Sequence, residues 1–244
     1  MRAKAILVTI GIFLILGFAV YIKHISAPQQ DNVVWVWDGS NPPASAKNVA
    51  LVVEHLWLKD SMLLHRSRKT SPALISNVRV TPVVHVEVDV LNPPTVPDQY
   101  RQEIISAVLG AAAVSTSGWV QLDYEAPPSH KILYKNIVHE IKRRLPYNIK
   151  LSVTTLAWWC SAGNWLDDLD ADEVVPMFFK MGKDTMKFNQ ILRDYPQSLS
   201  PVCQNQSAGF ALQERPSPDV IQRYSKVYWF DYEEWKGKST WPLG

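Results

Sequence analysis

The chain has 244 residues, 47% of them hydrophobic, and a formal net charge of +2. That apolar share, without any low-complexity run, excludes a disordered or fibrous protein and is ample for a packed core. The weak charge, with no Lys/Arg cluster interleaved with aromatics, excludes a nucleic-acid footprint, so no nucleic-acid partner is expected.

In chain order, the first feature is an uncharged apolar run over residues 5–22, preceded by Arg2 and Lys4. A helix of that length crosses a hydrocarbon core, and the basic residues hold its start in the cytoplasm. The run is long for a cleaved signal. The one small-x-small site, Ile25-Ser26-Ala27, begins with a bulky residue. The expectation is a retained single-pass membrane anchor over residues 1–26, with a cleaved signal as the alternative. A linker (27–32) follows, then one domain (33–244) outside the cytoplasm.

Beyond the linker, β-rich runs recur at 33–38, 49–58, 79–90, 119–125, 151–159, 173–181, 208–214 and 226–232. Helical periodicity covers 98–114, with Tyr100, Ile104, Ile105, Val108 and Ala112 on one face after Pro97-Asp98. It also covers 129–145, with Tyr134, Ile137, Val138, Ile141 and Leu145 on one face, Ser129 as the cap and Pro146 as the stop. Shorter helices are predicted at 164–169, 187–199 and 217–224. Strand–helix alternation implies a parallel sheet, and eight strands imply an α/β fold of the (β/α)8 TIM type. Its first half reads as irregular. The first connection is short and rich in Pro and Ser, and residues 54–69 read as a hairpin turning at Lys59-Asp60. The barrel is therefore trimmed on one side, or the sheet is open there.

A parallel strand buried on both faces is almost wholly apolar. Two of the predicted strands are not. In the third, Val84, Val86, Val88 and Val90 alternate with His85, Glu87 and Asp89. In the fourth, Val120 and Leu122 alternate with Gln121, Asp123 and Glu125. The period of two sends each set to one face. The valines belong against helices. The charged sets belong inside the barrel near its open C-terminal mouth, where barrel enzymes keep their sites. A buried polar network with partners such as Lys180 on the sixth strand is the competing account. Glu214 ends the seventh strand, and Asp231 lies on the eighth with Glu233 and Glu234 just after.

Ten tryptophans and nine tyrosines are many for this length. Most serve packing, but Trp158, Trp159 and Trp229 sit near strand ends, where rings beside carboxylates suit the CH faces and hydroxyls of a sugar. Paired carboxylates fit glycoside hydrolysis, one supplying a proton and the other an anion. The predicted site is therefore Glu125, Asp123 and Glu214 for catalysis. Glu87, Asp89, Gln121, Trp158, Lys180, Trp229 and Asp231 bind the glycan. Outside the cytoplasm Cys160 and Cys203 can form a disulfide; two buried thiols are the alternative. His85, Glu87, Asp89 and Asp123 could serve a metal hydrolase, but ligands at i, i+2 and i+4 of one strand match no familiar motif. Neither a metal nor any other cofactor is expected.

The stretch from Trp119 to Pro127 resembles the fourth-strand DxDxE signature of chitinase-like glycosidases, with Asp123 and Glu125 at its last two acids and Gln121 at its first. The resemblance implies that Glu125 is the general acid and that Asp123 steers an acetamido group. Met177 matches that family's Met-x-Tyr stretch, with Phe179 where Tyr would stand. A longer similarity, over residues 33–216, is to an uncharacterised bacterial domain family with a glycosidase-like TIM barrel. It is carried by VQLDYEA (120–126), LSVTTLAWWC (151–160), DEVVPMFFKMG (172–182) and the segment from Cys203 through Gly209 to Glu214. It implies a bacterial inner-membrane address with the barrel in the periplasm, but no established reaction; the acids beside aromatic rings are what point to a polysaccharide as substrate or partner. Two mechanisms stay open: substrate assistance with Glu125 and Asp123, or a retaining pair of Glu125 and Glu214, in which Tyr124 replaces the expected Asn. Carboxyl separations of about 5–5.5 Å mark a retaining pair and about 6.5–9.5 Å an inverting one. A non-catalytic barrel that binds glycan or an envelope partner is the rival reading, since fold does not imply activity.

Overall fold

The computed structural model describes residues 30–231, except 38–39, 60–61, 70–76, 90–91, 162 and 164. The expected anchor at residues 5–22 lies outside the described residues, as do Glu233 and Glu234. Among the described residues no helix is long and apolar enough to cross a membrane. The chain divides into Met1–Gln30 and Asp31–Gly244, and every described strand and helix belongs to the second unit.

Among the described residues nine strands form one sheet: β1 (Asp31–Val36), β2 (Asn48–Lys59), β3 (Met62–Ser67), β4 (Arg79–Val88), β5 (Trp119–Tyr124), β6 (Lys150–Leu156), β7 (Glu173–Met177), β8 (Ser207–Ala211) and β9 (Lys226–Phe230). The order β1-β9-β8-β7-β6-β5-β4-β2-β3 closes through a further β1–β2 pairing. Eight strands are parallel and make the barrel; β3 is antiparallel to β2. The irregular half is thus closed, not open. Strand β2 achieves this by its length. Its first part joins β1 (Val34↔Val49), and its last part rises beyond β1 and takes β3 on the vacated edge (Leu58↔Leu63).

Helices crowd the other side. Helix α1 (Asp98–Ala112) buries Ile104, Ile105, Val108, Ala111 and Ala112. Helix α2 (Lys131–Arg144) buries Tyr134, Ile137, Val138 and Ile141. Both stripes follow the 3.6-residue period and pack with Val84, Val86, Val120 and Leu122 in one core layer. Ser129 does not cap α2. It lies in a 3-10 turn (Pro128–His130), and no side chain caps the helix; Pro146 ends it as expected. Helix α3 (Thr185–Asp194) starts earlier than predicted and ends before a 3-10 turn at Pro196–Ser198, because Pro196 cannot continue it. Helix α4 (Pro218–Ile221) is one turn, and residues 165–169 form bends and turns instead of a helix.

A second core fills the lumen with Val33, Trp35, Ala50, Val52, Val83, Val175, Met177, Phe179, Ala211, Tyr228 and Phe230. Gly209 is required there, because a Cβ would meet Phe230 Cε2 at 2.9 Å. Deeper, near the strand starts, Glu173 accepts hydrogen bonds from Ser152 (2.6 Å), Ser207 (2.7 Å) and Tyr228 (2.7 Å), and Lys226 lies 3.1 Å away. Burial acts to raise the Glu173 pKa, but Lys226 and the three hydroxyls outweigh it and hold the pKa below the usual value. A disulfide joins Cys160 to Cys203, Cα atoms 6.0 Å apart, tying the end of β6 to the segment before β8.

Candidate functional site

The C-terminal ends of β2, β4, β5, β6 and β7 carry polar groups into the barrel mouth. Val84, Val86 and Val88 pack outward with the α1 side chains, so alternation turns His85 and Glu87 inward. Val120 and Leu122 likewise face out, turning Asp123 and Glu125 in. His85 and Asp123 are register partners across β4 and β5. Asp123 Oδ2 accepts a hydrogen bond from His85 Nδ1 at 2.6 Å, and its Oδ1 accepts one from Thr154 Oγ1 at 2.5 Å. Burial opposes the charged form of His85. The Asp123 carboxylate, by charge and hydrogen bond, overcomes it with help from Glu125 and Glu87, and the His85 pKa is raised.

Glu125 follows on the same face. Solvent reaches its side chain from the open side of the mouth. Protein crowds it elsewhere, and this burial, followed by the Asp123 charge, pushes its pKa above the usual carboxylate value. His85 and Lys180 act against that rise, and Glu87 adds to it. A cleft of about 480 Å³ opens beside Glu125, walled by Leu156, Trp158, Met177, Phe179 and Met181, with Lys180 on its edge. Lys180 has a left-handed backbone (φ 51°), uncommon for a residue with a side chain, and its N–H donates to Glu214 Oε2 at 3.0 Å. Glu125 and Glu214 both act on the Lys180 charge.

His55 completes the mouth, and the alternation of β2 hides it. The β2–β4 register slips between Val52 and Glu54, a bulge that lets Val52 and His55 face the same side. His55 Nε2 lies 3.2 Å from Glu87 Oε2, and Arg66 on β3 donates to His55 Nδ1 at 3.1 Å. Arginine is only a donor, so Nε2 carries the His55 proton and gives it to Glu87. Donor atoms of His55, His85 and Glu87 fall within 4.8 Å of one another, a spacing that could hold a metal ion. The hydrogen-bond roles disfavour it, because metal binding at His55 Nε2 would displace the proton shared with Glu87 and set Nδ1–H against Arg66. Aromatic rings run across the mouth in sequence: Phe179–Phe230 (4.5 Å between centroids), Phe230–Trp35 (4.6 Å), Trp35–Trp37 (5.9 Å), Trp37–His85 (4.9 Å) and His85–His55 (4.6 Å).

Of the residues expected at the site, Asp123, Glu125, Glu87, Trp158 and Lys180 come together here. Glu214 joins through the Lys180 main chain. Asp231 lies on the neighbouring rim, where it accepts from Gln213 at 2.6 Å. Three others do not join. Gln121 faces inward but lies one layer deeper, fully buried, donating to Ser152 at 2.9 Å. Asp89 turns to its own loop and accepts from the Asn92 N–H at 3.2 Å. Trp229 is on the wrong face: Tyr228 and Phe230 occupy the lumen, so Trp229 points outward, under the Arg215 guanidinium and bonded to Asn32. Tyr124 also faces outward, its hydroxyl 2.9 Å from His130 Nδ1. Sequence reasoning missed His55 and Thr154. Ser152 and Thr154, alternating with Leu151 and Val153 along β6, were the available signal for the second.

No protein-family model and no curated protein matches the chain by sequence. Solved structures do resemble it. The Bacillus cereus spore cortex-lytic enzyme SleL is 16% identical with a TM-score of 0.50, over 75% of this chain and 50% of that one. A GH18 chitinase from Pseudoalteromonas aurantia is 13% identical with a TM-score of 0.50, over 84% and 94%. The xylanase-α-amylase inhibitor protein XAIP-I, solved with trehalose, is 11% identical with a TM-score of 0.50, over 83% and 93%. The chain thus spans half the length of SleL. At these identities the likeness is one of fold: a TIM-type barrel.

Proposed function

We propose that this barrel hydrolyses a polysaccharide of the bacterial envelope, with Glu125 as general acid and Asp123 as the anionic group beside it. The observation that carries the reading is the position of the Glu125 carboxyl: at the mouth, between Asp123 and a cleft walled by Trp158, with its pKa pushed up by burial and by Asp123. A raised pKa favours the protonated carboxyl that proton donation requires. Glu125 gives its proton to the glycosidic oxygen as the bond to the anomeric carbon breaks. The cationic centre is relieved by Asp123 or by a substrate acetamido group steered by it. Water then adds at that carbon and returns a proton to Glu125. Trp158 offers a flat face to a sugar ring. The apolar run at residues 5–22 motivates a tether at the inner membrane with the barrel in the periplasm, close to the glycan it works on.

The test compares wild type with Glu125→Gln on cell-wall and exopolysaccharide fragments. Loss of turnover with retained binding is expected; equal turnover contradicts the assignment. A second reading, a barrel that binds glycan without cleaving it, draws on Gln121 replacing the first acid of the signature and on an inhibitor protein among the fold's other occupants. Glycan binding unchanged by Glu125→Gln, with no turnover in either protein, would favour it.

A further inference from the structure

The signature that β5 resembles has an acid two residues before Asp123, on the same inward face. Here that position is Gln121, whose amide is committed downward to Ser152. Asp123 instead finds its partner sideways. His85 on the adjacent strand meets it at 2.6 Å, both side chains almost wholly buried at 7% and 3% exposure. Two rings flank the imidazole, Trp37 edge-on at 4.9 Å and His55 at 4.6 Å. Thr154 fixes the other carboxylate oxygen.

We infer that His85 is the positioning residue of the acid pair, replacing the missing first acid as the group that aims Asp123 and balances the charge of the mouth. The inference rests on the hydrolase reading for its catalytic consequence, but the pairing itself does not. A histidine in this place reverses the sign of the partner. An Asp partner would add negative charge beside Glu125, whereas protonated His85 offsets that of Asp123. The groups facing His85 are Asp123 from β5 and Glu125 just after it, Glu87 from β4 and His55 from β2, with Arg66 of β3 behind His55. Carboxylates dominate this set, so the cationic ring is the form that the surroundings favour. Burial, the largest influence on His55, lowers its pKa, and the nearby His85 charge lowers it further, so one histidine of the pair carries the charge.

The experiment has two arms, both in the full-length protein. In the first, histidine side-chain NMR follows His85 through a pH titration. The wild-type ring should stay cationic above the pH at which an ordinary histidine loses its proton, and Asp123→Asn should move that loss to lower pH. A titration indifferent to Asp123→Asn overturns the pairing. In the second, His85→Ala and His85→Asn are compared on whichever glycan wild type turns over in a Glu125-dependent way. His85→Ala should lower kcat by about tenfold to a hundredfold, the scale of a misplaced catalytic group, with KM within about twofold. His85→Asn keeps a donor near the Nδ1 position; it should restore most of the rate at the optimum but change the pH profile, because the charge is gone. A loss confined to KM, or no loss in His85→Ala, overturns the positioning role. Absence of turnover by wild type on every glycan sinks the hydrolase reading, and the NMR arm still decides whether His85 holds Asp123.

Discussion

His85 Nδ1 and Asp123 Oδ2 lie 2.6 Å apart at directly paired positions of β4 and β5, inside a barrel mouth where Glu125 is the next residue on the same face. This contact joins two strands that the chain order separates by α1. It brings the alternating polar residues of both strands to one point and sets the charge that Glu125 experiences.

The site carries a stability cost at Glu125. A carboxyl whose pKa is raised by folding binds its proton more tightly in the native state, so stability falls as pH rises from the ordinary carboxylate range through the folded value. Glu125→Gln removes the ionisation. Thermal unfolding should show Glu125→Gln more stable than wild type at neutral pH, with the two converging below pH ~4.5, near the usual Glu value. An equal difference at all pH values would contradict this.

His85 has the same sign for a different reason. Its raised pKa makes its contribution fully present below the ordinary histidine value, with loss as pH rises through the folded one. In Asp123→Asn that pH-dependent loss should be absent, so the stability difference between wild type and variant should shrink as pH rises from ~6 to ~9, a window set by the ordinary histidine value and the upward direction of the shift.

At the other end of the barrel, Glu173 is paired with Lys226 and three hydroxyls. Glu173→Ala leaves a buried cation without its anion and should cost about 3–5 kcal/mol, read by urea unfolding. Glycan affinity of the folded protein should not change, since this network lies at the strand starts. With the pKa of Glu173 depressed, its contribution is present above the ordinary Glu value and is lost as pH falls through the folded one.

The Cys160–Cys203 bridge closes a loop of 43 residues in sequence, for which chain entropy gives about 4 kcal/mol. Reductant, or Cys203→Ser, should lower Tm accordingly. Cys160 directly follows Trp158 and Trp159, so the same treatment should also change tryptophan fluorescence at the cleft wall. Gly209→Ala forces a Cβ against the Phe230 ring and should cost about 1–3 kcal/mol by overpacking.

Much of this site is legible in the sequence. The period of two in residues 84–90 and 120–125 forces His85, Glu87, Asp123 and Glu125 inward once the valine faces are assigned to helices. The hairpin after β2 is legible because its apolar residues restart after a short polar turn. His55 is not, because a bulge at residues 52–54 breaks the parity on which such reasoning depends. Trp229 differs for the opposite reason: nearness to a strand end suggests the mouth, whereas parity sends its ring outward. Closure of the barrel depends on the register of Val34 with Val49, a long-range pairing that local pattern cannot supply.

The most direct measurement is release of reducing ends from cell-wall and exopolysaccharide fragments by wild type and Glu125→Gln, with glycan affinity measured on both. A general-acid role for Glu125 predicts that kcat falls by about 10²–10⁴-fold in the variant, the usual worth of such a group, while affinity stays within a few-fold. Equal release by the two proteins would contradict it.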